Sequence, residues 1–170
     1  IVYYFTTAVA LGGPDRKISF TVPTGNFGDL FAGYVAKRMG LPIDKLIIAT
    51  NDNDILTRTL KSGRYEMREV KVTTSPSMDI QISSNFERLI FEANDRDPAE
   101  VRAAMANLKQ SGSFAIGDGA LKKIRKEFRA GRASEKQVAR TIRKTLEDTG
   151  YLIDPHTAIG VFVAAKHEKA

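Results

Sequence analysis

Eleven consecutive residues, Ser19-Phe20-Thr21-Val22-Pro23-Thr24-Gly25-Asn26-Phe27-Gly28-Asp29, constrain this chain more than any other feature. Ile18, Phe20 and Val22 alternate with Ser19 and Thr21, the period-two signature of a strand. Pro23 has no N–H to give to a ladder, so it stops the strand. Gly25 and Gly28 allow a sharp turn and let a ligand approach the backbone with no Cβ in the way. The pattern then turns helical, which aims free N–H groups and the positive end of a helix dipole into the same space. That combination suits a phosphate. It matches neither G-x-x-x-x-G-K-[ST] nor G-x-G-x-x-G, so it specifies no nucleotide, and a tight strand-to-helix turn that binds nothing is the alternative reading.

On the anion-site reading, Gly25, Asn26, Phe27 and Gly28 offer backbone N–H groups, and Asn26 adds a side-chain amide. A carboxylate beside a phosphate is repelled, so Asp29 is expected to cap the helix and to lend the ligand only its N–H. The ring of Phe27 is expected to plug the core beneath the loop.

The 170 residues suffice for one domain with a sizeable core, and 42% hydrophobic with 27% charged residues fits a globular protein. The chain has no cysteine, which excludes disulfides, thiolate catalysis and cysteine-ligated metals within it. The apolar opening, residues 1–11, is too short for a membrane span and lacks the pattern of a signal peptide. The sequence starts at Ile1 within an apolar pattern and stops at Ala170 within a helical one, which reads as a piece of a longer protein. The net charge of +6 is local: residues 122–144 hold ten basic and two acidic side chains, and the remainder is slightly acidic.

Periodicity places a strand at 18–22, a helix at 30–39 and a second strand at 45–50, whose Leu-Ile-Ile-Ala run is that of a strand buried on both faces. This is a βαβ unit. A short helix at 54–60 and a third strand at 66–72 follow, and then mainly helices. Asp97-Pro98 with Glu100 marks one helix start, and Ser134 with Gln137 forms a capping box for another. Leu121, Ile124 and Phe128 stripe the helix between them, and Asp154-Pro155 starts the last helix. The expected class is α/β, a parallel-sheet layer with a helical insertion. Its expected divisions are an α/β part at 1–80, the insertion at 81–150 and a helix returning to the core at 151–170.

Three further segments carry polar chemistry. Thr50-Asn51-Asp52-Asn53-Asp54 ends the second strand, where open α/β sheets bind ligands, although a capped turn is the plainer reading. Ser75-Pro76-Ser77-Met78-Asp79 either lines a polar pocket or caps a helix. His156 stands near a helix start beside Asp154 and Thr157, and no second ligand at metal spacing accompanies it. The two basic helices around residues 129–133 mimic a helix-turn-helix. However, their cations surround both apolar stripes and no aromatics are interleaved, so a solvated face is the better reading than a nucleic-acid site.

Four segments together resemble the threonine synthases, pyridoxal phosphate enzymes of the tryptophan-synthase-β-like fold (fold type II). They are Val22-Pro23-Thr24-Gly25-Asn26-Phe27-Gly28-Asp29, Ala49-Thr50-Asn51-Asp52-Asn53-Asp54, Ser75-Pro76-Ser77-Met78-Asp79-Ile80 and Leu152-Ile153-Asp154-Pro155-His156-Thr157-Ala158. They occur in the family's order and cover nearly the whole chain. The resemblance implies a cytoplasmic lyase of threonine biosynthesis with pyridoxal 5'-phosphate as cofactor. It would convert O-phospho-L-homoserine and water to L-threonine and phosphate, without nucleic acid or membrane as partner. It also implies cofactor contacts at Gly25, Asn26, Phe27 and Asp29 with Gly28 supplying the turn, and weaker cleft-lining roles for Asn51, Asn53, Ser77 and His156. Thr24 stands where the family often has serine. The family's Schiff-base lysine, in a Phe-Lys-Asp context, has no counterpart in these residues, and neither has its C-terminal Ala-His-Pro motif. The chain is therefore expected to correspond to a central to C-terminal part of such an enzyme, to contain no catalytic residue of its own and to be inactive by itself.

Overall fold

A computed structural model describes residues 1–167. Its centre is a three-stranded parallel sheet in the order β1-β2-β5, made of β1 (Ile18–Pro23), β2 (Ile43–Thr50) and β5 (Phe128–Arg132). In register, Pro23 lies opposite Ala49, and Thr50 lies opposite Arg132. β2 is the middle strand, which is why Leu46-Ile47-Ile48-Ala49 is unbroken apolar sequence. Side chains alternate across a strand. Leu46 and Ile48 therefore join one core with Leu30, Phe86, Ile124 and Phe128, while Ile47 and Ala49 join a second with Val138, Ile159 and Val163.

The first core lies under α2 (Gly28–Arg38), α3 (Ile55–Ser62), α4 (Phe86–Ala93) and α6 (Asp118–Glu127). The second is closed by α7 (Glu135–Thr149) and α8 (Pro155–His167). α8 runs against the strand direction. Its Gly160 lies on Pro23 at the end of β1, and its His167 lines a surface cleft with Ser19, Thr21 and Lys45 nearer the strand starts. A Cβ on Gly131 would come within 2.7 Å of Val163 Cγ1, so glycine in β5 is what lets α8 close on the sheet. α1 (Val2–Ala10) covers the start of α2 through Tyr4, whose ring meets Phe20 edge-on at 4.9 Å. α5 (Pro98–Ser111) begins as its sequence implies, with Asp97 accepting the Ala99 N–H at 2.8 Å. At α7 the Gln137 side chain reaches back to the Ser134 N–H at 2.9 Å, in the expected capping box.

Two expectations are corrected. The third strand is not at 66–72: β3 is only Arg64–Glu66, it pairs antiparallel with β4 (Ser113–Ala115), and residues 67–72 belong to no strand. The third strand of the parallel sheet is instead β5, read from sequence as the turn between two basic helices. Phe128 ends no helical stripe; it starts this strand opposite Leu46. The helix-turn-helix mimic disappears with it, because α6 and α7 are separated by a sheet strand. The segment 81–150 holds β4 and β5 as well as its helices.

Candidate functional site

The loop between β1 and α2 is held from four sides. The Thr24 N–H donates to the Ala49 carbonyl at 3.0 Å, fixing the loop to β2. Thr24 Oγ1 accepts the Phe27 N–H at 3.1 Å. Phe27 has φ +66°, in the left-handed region that non-glycine residues seldom adopt. Its fully buried ring, edge-on to Phe86 at 5.4 Å and tilted against Phe128 at 5.6 Å, holds that backbone in place, so the ring is the expected core plug. From α4's start, the Asn85 N–H and side-chain amide donate to the Asn26 carbonyl at 3.2 and 3.0 Å, and the Ser84 hydroxyl lies 3.2 Å from Asn26 Oδ1. From α1, the Tyr4 hydroxyl donates to the Asp29 carbonyl at 3.1 Å. Burial and the adjacent Asp29 raise the Tyr4 pKa, so the phenol stays a donor.

What this bracing leaves over is the chemistry of the site. Among the described residues, the N–H groups of Gly25, Asn26, Gly28 and Asp29 meet no protein acceptor, and they stand at the N-terminus of α2. The Phe27 N–H is spent within the loop on Thr24. Asp29 does not cap the helix as expected. The N-cap position is Phe27 with no side-chain cap, and Asp29 is exposed in the first turn. A side chain at Gly25 would be crowded: a Cβ there would lie 3.1 Å from Ile80 Cδ1 and 3.2 Å from Met78 Cα.

The end of β2 is built differently. Asn51 and Asn53 are buried, and their side chains turn inward to Asp79. Asp79 Oδ1 lies 2.7 Å from Asn51 Nδ2, 2.8 Å from Asn53 Nδ2 and 2.7 Å from Thr73 Oγ1, while Oδ2 accepts the Thr73 N–H at 2.8 Å. Asn51 Oδ1 accepts the Asn53 N–H, and Asn53 bonds both the N–H and the carbonyl of Lys71. This knot ties the strandless stretch 67–79 to the sheet and leaves neither asparagine amide free for a ligand.

Ser77 and His156, 79 positions apart, come together: Ser77 Oγ is 2.7 Å from His156 Nε2. Ser77 is in the 3-10 turn Pro76–Met78. His156 is in the first turn of α8, where Asp154 is the cap, its carboxylate accepting the Thr157 hydroxyl at 2.6 Å and the His156 N–H at 2.8 Å. The Thr157 hydroxyl leads the donors that stabilise the charged carboxylate and lower its pKa from 3.8 to about 2. The cap therefore contributes in full above about pH 4 and fades as pH falls towards 2. Asp154→Ala is expected to lower the melting temperature at pH 7 and to have much less effect near pH 2, read by thermal denaturation at both values.

Sequence reasoning missed Tyr4, Asp79 and the Ser84-Asn85 pair. Nothing local in the sequence places Ser84 and Asn85 on Asn26, 58 and 59 positions away. The cations of 122–144 are partly spent within the fold. Lys123 pairs with Asp95 at 2.6 Å, Arg125 donates to the Leu60 and Lys61 carbonyls, and Arg132 lies 3.5 Å from Asp54. Among the described residues no cluster of three or more His, Asp or Glu is placed to hold a metal, and no helix is long and apolar enough to cross a membrane.

This α/β arrangement is the one found in fold type II enzymes. A fungal L-serine ammonia-lyase from Rhizomucor miehei superposes with a TM-score of 0.56 at 12% identity, over 99% of this chain and 44% of that one, a likeness of fold alone. Far greater similarity links the chain to threonine synthases. That of Pseudomonas aeruginosa is 48% identical over 164 residues, 96% of this chain and 35% of the relative. A pyridoxal phosphate-bound threonine synthase from Brucella melitensis superposes with a TM-score of 0.96 at 69% identity, over 99% of this chain and 36% of that one. No family model matches the chain. The chain is a homologue of the threonine synthases, and it spans about a third of the length of the relatives it matches.

Proposed function

We propose that the chain is the part of a threonine synthase that grips the phosphate of pyridoxal 5'-phosphate, in a cytoplasmic enzyme that converts O-phospho-L-homoserine and water to L-threonine and phosphate. The observation that carries this reading is the set of four unpaired amides, Gly25, Asn26, Gly28 and Asp29, at the start of α2. They fit a dianionic head group. Hydrogen bonds to a charged oxygen are worth about 1.5–3 kcal/mol each. The exposed Asp29 carboxylate opposes a dianion by only about 2 kcal/mol even at 4 Å in water.

When bound, the cofactor supplies an electron sink for the amino-acid carbon chemistry. This chain's residues bind and orient it. The four amides and the α2 dipole take the phosphate, and the Thr24 hydroxyl, the Phe27 ring and the Asn85 amide keep those amides aimed. Phe27 serves through its ring and its backbone turn. Asn51 and Asn53 serve the same cleft indirectly, by holding the turn that packs on Gly25. No lysine here has the Phe-Lys-Asp context, so no covalent role is assigned to these residues.

The test is to incubate the longer protein that contains this segment with pyridoxal phosphate and O-phospho-L-homoserine and to assay phosphate and threonine. Equimolar, cofactor-dependent formation of both is expected. Cofactor binding without turnover would contradict the threonine synthase reading and leave a phosphate-ligand-binding protein.

A further inference from the structure

Two walls close on the glycine loop; a hydrogen bond joins them, and Met78 of one shares a buried apolar cluster with Ile159 of the other. One wall is the turn Pro76–Met78: Met78 Cα stands 3.2 Å from where a Cβ on Gly25 would be. The other is α8, whose Gly160 lies against Pro23, the residue just before the loop, with a Cβ there 3.1 Å from Pro23 Cγ. His156 precedes Gly160 by four positions, so the two share a face of α8. Because α8 runs against the strands, His156 stands one turn further towards the loop. It is there that its Nε2 meets Ser77 Oγ at 2.7 Å. The His156 backbone is fixed by the Asp154 cap, and Asp154 Oδ1 is 3.3 Å from Nδ1. The turn bearing Ser77 is anchored independently at Asp79, so breaking the Ser77–His156 contact removes one of its ties and leaves the turn folded beside Gly25.

We infer that Ser77 and His156 are positioning residues for the phosphate loop: their hydrogen bond pins the Pro76–Met78 turn to α8 across Gly25 and keeps the loop amides aimed at the head group. This rests on the reading of the loop as the pyridoxal phosphate site. Neither side chain need touch the reacting atoms.

The experiment measures the dissociation constant of pyridoxal phosphate for the longer enzyme and for its Ser77→Ala, His156→Ala, Ser77→Ala/His156→Ala and His156→Gln variants, with melting temperatures alongside. Each alanine variant should bind about fivefold more weakly, the loss expected for one hydrogen bond. The double variant should be no weaker than either single one. His156→Gln, which keeps a polar group near Ser77, should bind within about twofold of the parent, since hydrogen bonding and not the imidazole itself is what positions the turn. Melting temperatures should stay close to the parent's, which separates positioning from folding. Parent-like binding by His156→Ala, or single effects that multiply in the double variant, would overturn the inference while leaving the cofactor site standing. A parent enzyme that binds no pyridoxal phosphate would overturn both.

Discussion

Gly25→Val is expected to weaken pyridoxal phosphate binding by on the order of tenfold or more while the protein stays folded. The strain arises at a defined place. A Cβ on residue 25 meets Ile80 Cδ1 at 3.1 Å and Met78 Cα at 3.2 Å. The isoleucine methyl can rotate away, but the Met78 Cα is backbone in a 3-10 turn tied down at Asp79, so the loop must give instead. A shift of a few tenths of an ångström turns the Gly25 and Asn26 amides off a common focus. Gly28→Ala is the milder comparison, because its Cβ would meet only the Asn85 side chain, with Nδ2 the closest atom at 3.2 Å. Fluorescence titration of the cofactor against both variants checks the ranking. Equal affinities would mean that the approach of Met78 to Gly25 is immaterial.

The second large effect concerns stability. Asp79→Ala removes the acceptor of four hydrogen bonds, from Asn51, Asn53 and both the hydroxyl and the N–H of Thr73. Asn51 is fully buried and Asn53 is 4% exposed, so the donors left behind have little access to water. A stranded buried donor costs about 1–3 kcal/mol. Asn51 keeps the Thr73 and Ser75 hydroxyls and Asn53 the Lys71 carbonyl as acceptors, so the loss falls mainly on Thr73 and on one hydrogen of the Asn53 amide. Relaxation and entering water recover part of this, and a net loss of about 3 kcal/mol is expected. Asp79→Asn should cost less, since one acceptor oxygen remains, but its NH2 then opposes a donor. Denaturant unfolding of the three proteins gives the order. A parent-like midpoint for Asp79→Ala would mean that the knot is dispensable. Because the turn that packs on Gly25 hangs from this knot, cofactor affinity should fall with it.

The site was legible in the sequence where its grammar is local. Pro23, Gly25 and Gly28 punctuate a strand-to-helix passage within a few residues, and β2 announces itself by an apolar run that only a strand buried on both faces needs. β5 gave no such sign. Phe128-Arg-Ala-Gly-Arg has neither alternation nor β-branched residues, and it is a strand because β2 offers an unpaired edge and Gly131 fits beneath Val163. The polar residues show the same divide. Asn51 and Asn53 were placed correctly at the strand end, but the direction of their side chains depends on Asp79, 26 to 28 positions away. Asp29 was expected to cap the helix on residue type alone, whereas the buried Phe27 fixes the N-cap backbone and leaves the carboxylate in solvent. The pairing of Ser77 with His156 is a product of tertiary structure, invisible until α8 is laid against β1.

A crystal structure of the longer protein with pyridoxal phosphate would show whether the four backbone amides converge on the phosphate. Phosphate oxygens should lie about 2.7–3.1 Å from the nitrogens of Gly25, Asn26, Gly28 and Asp29. A phosphate seated elsewhere, or these amides turned to acceptors within the protein, would contradict that convergence.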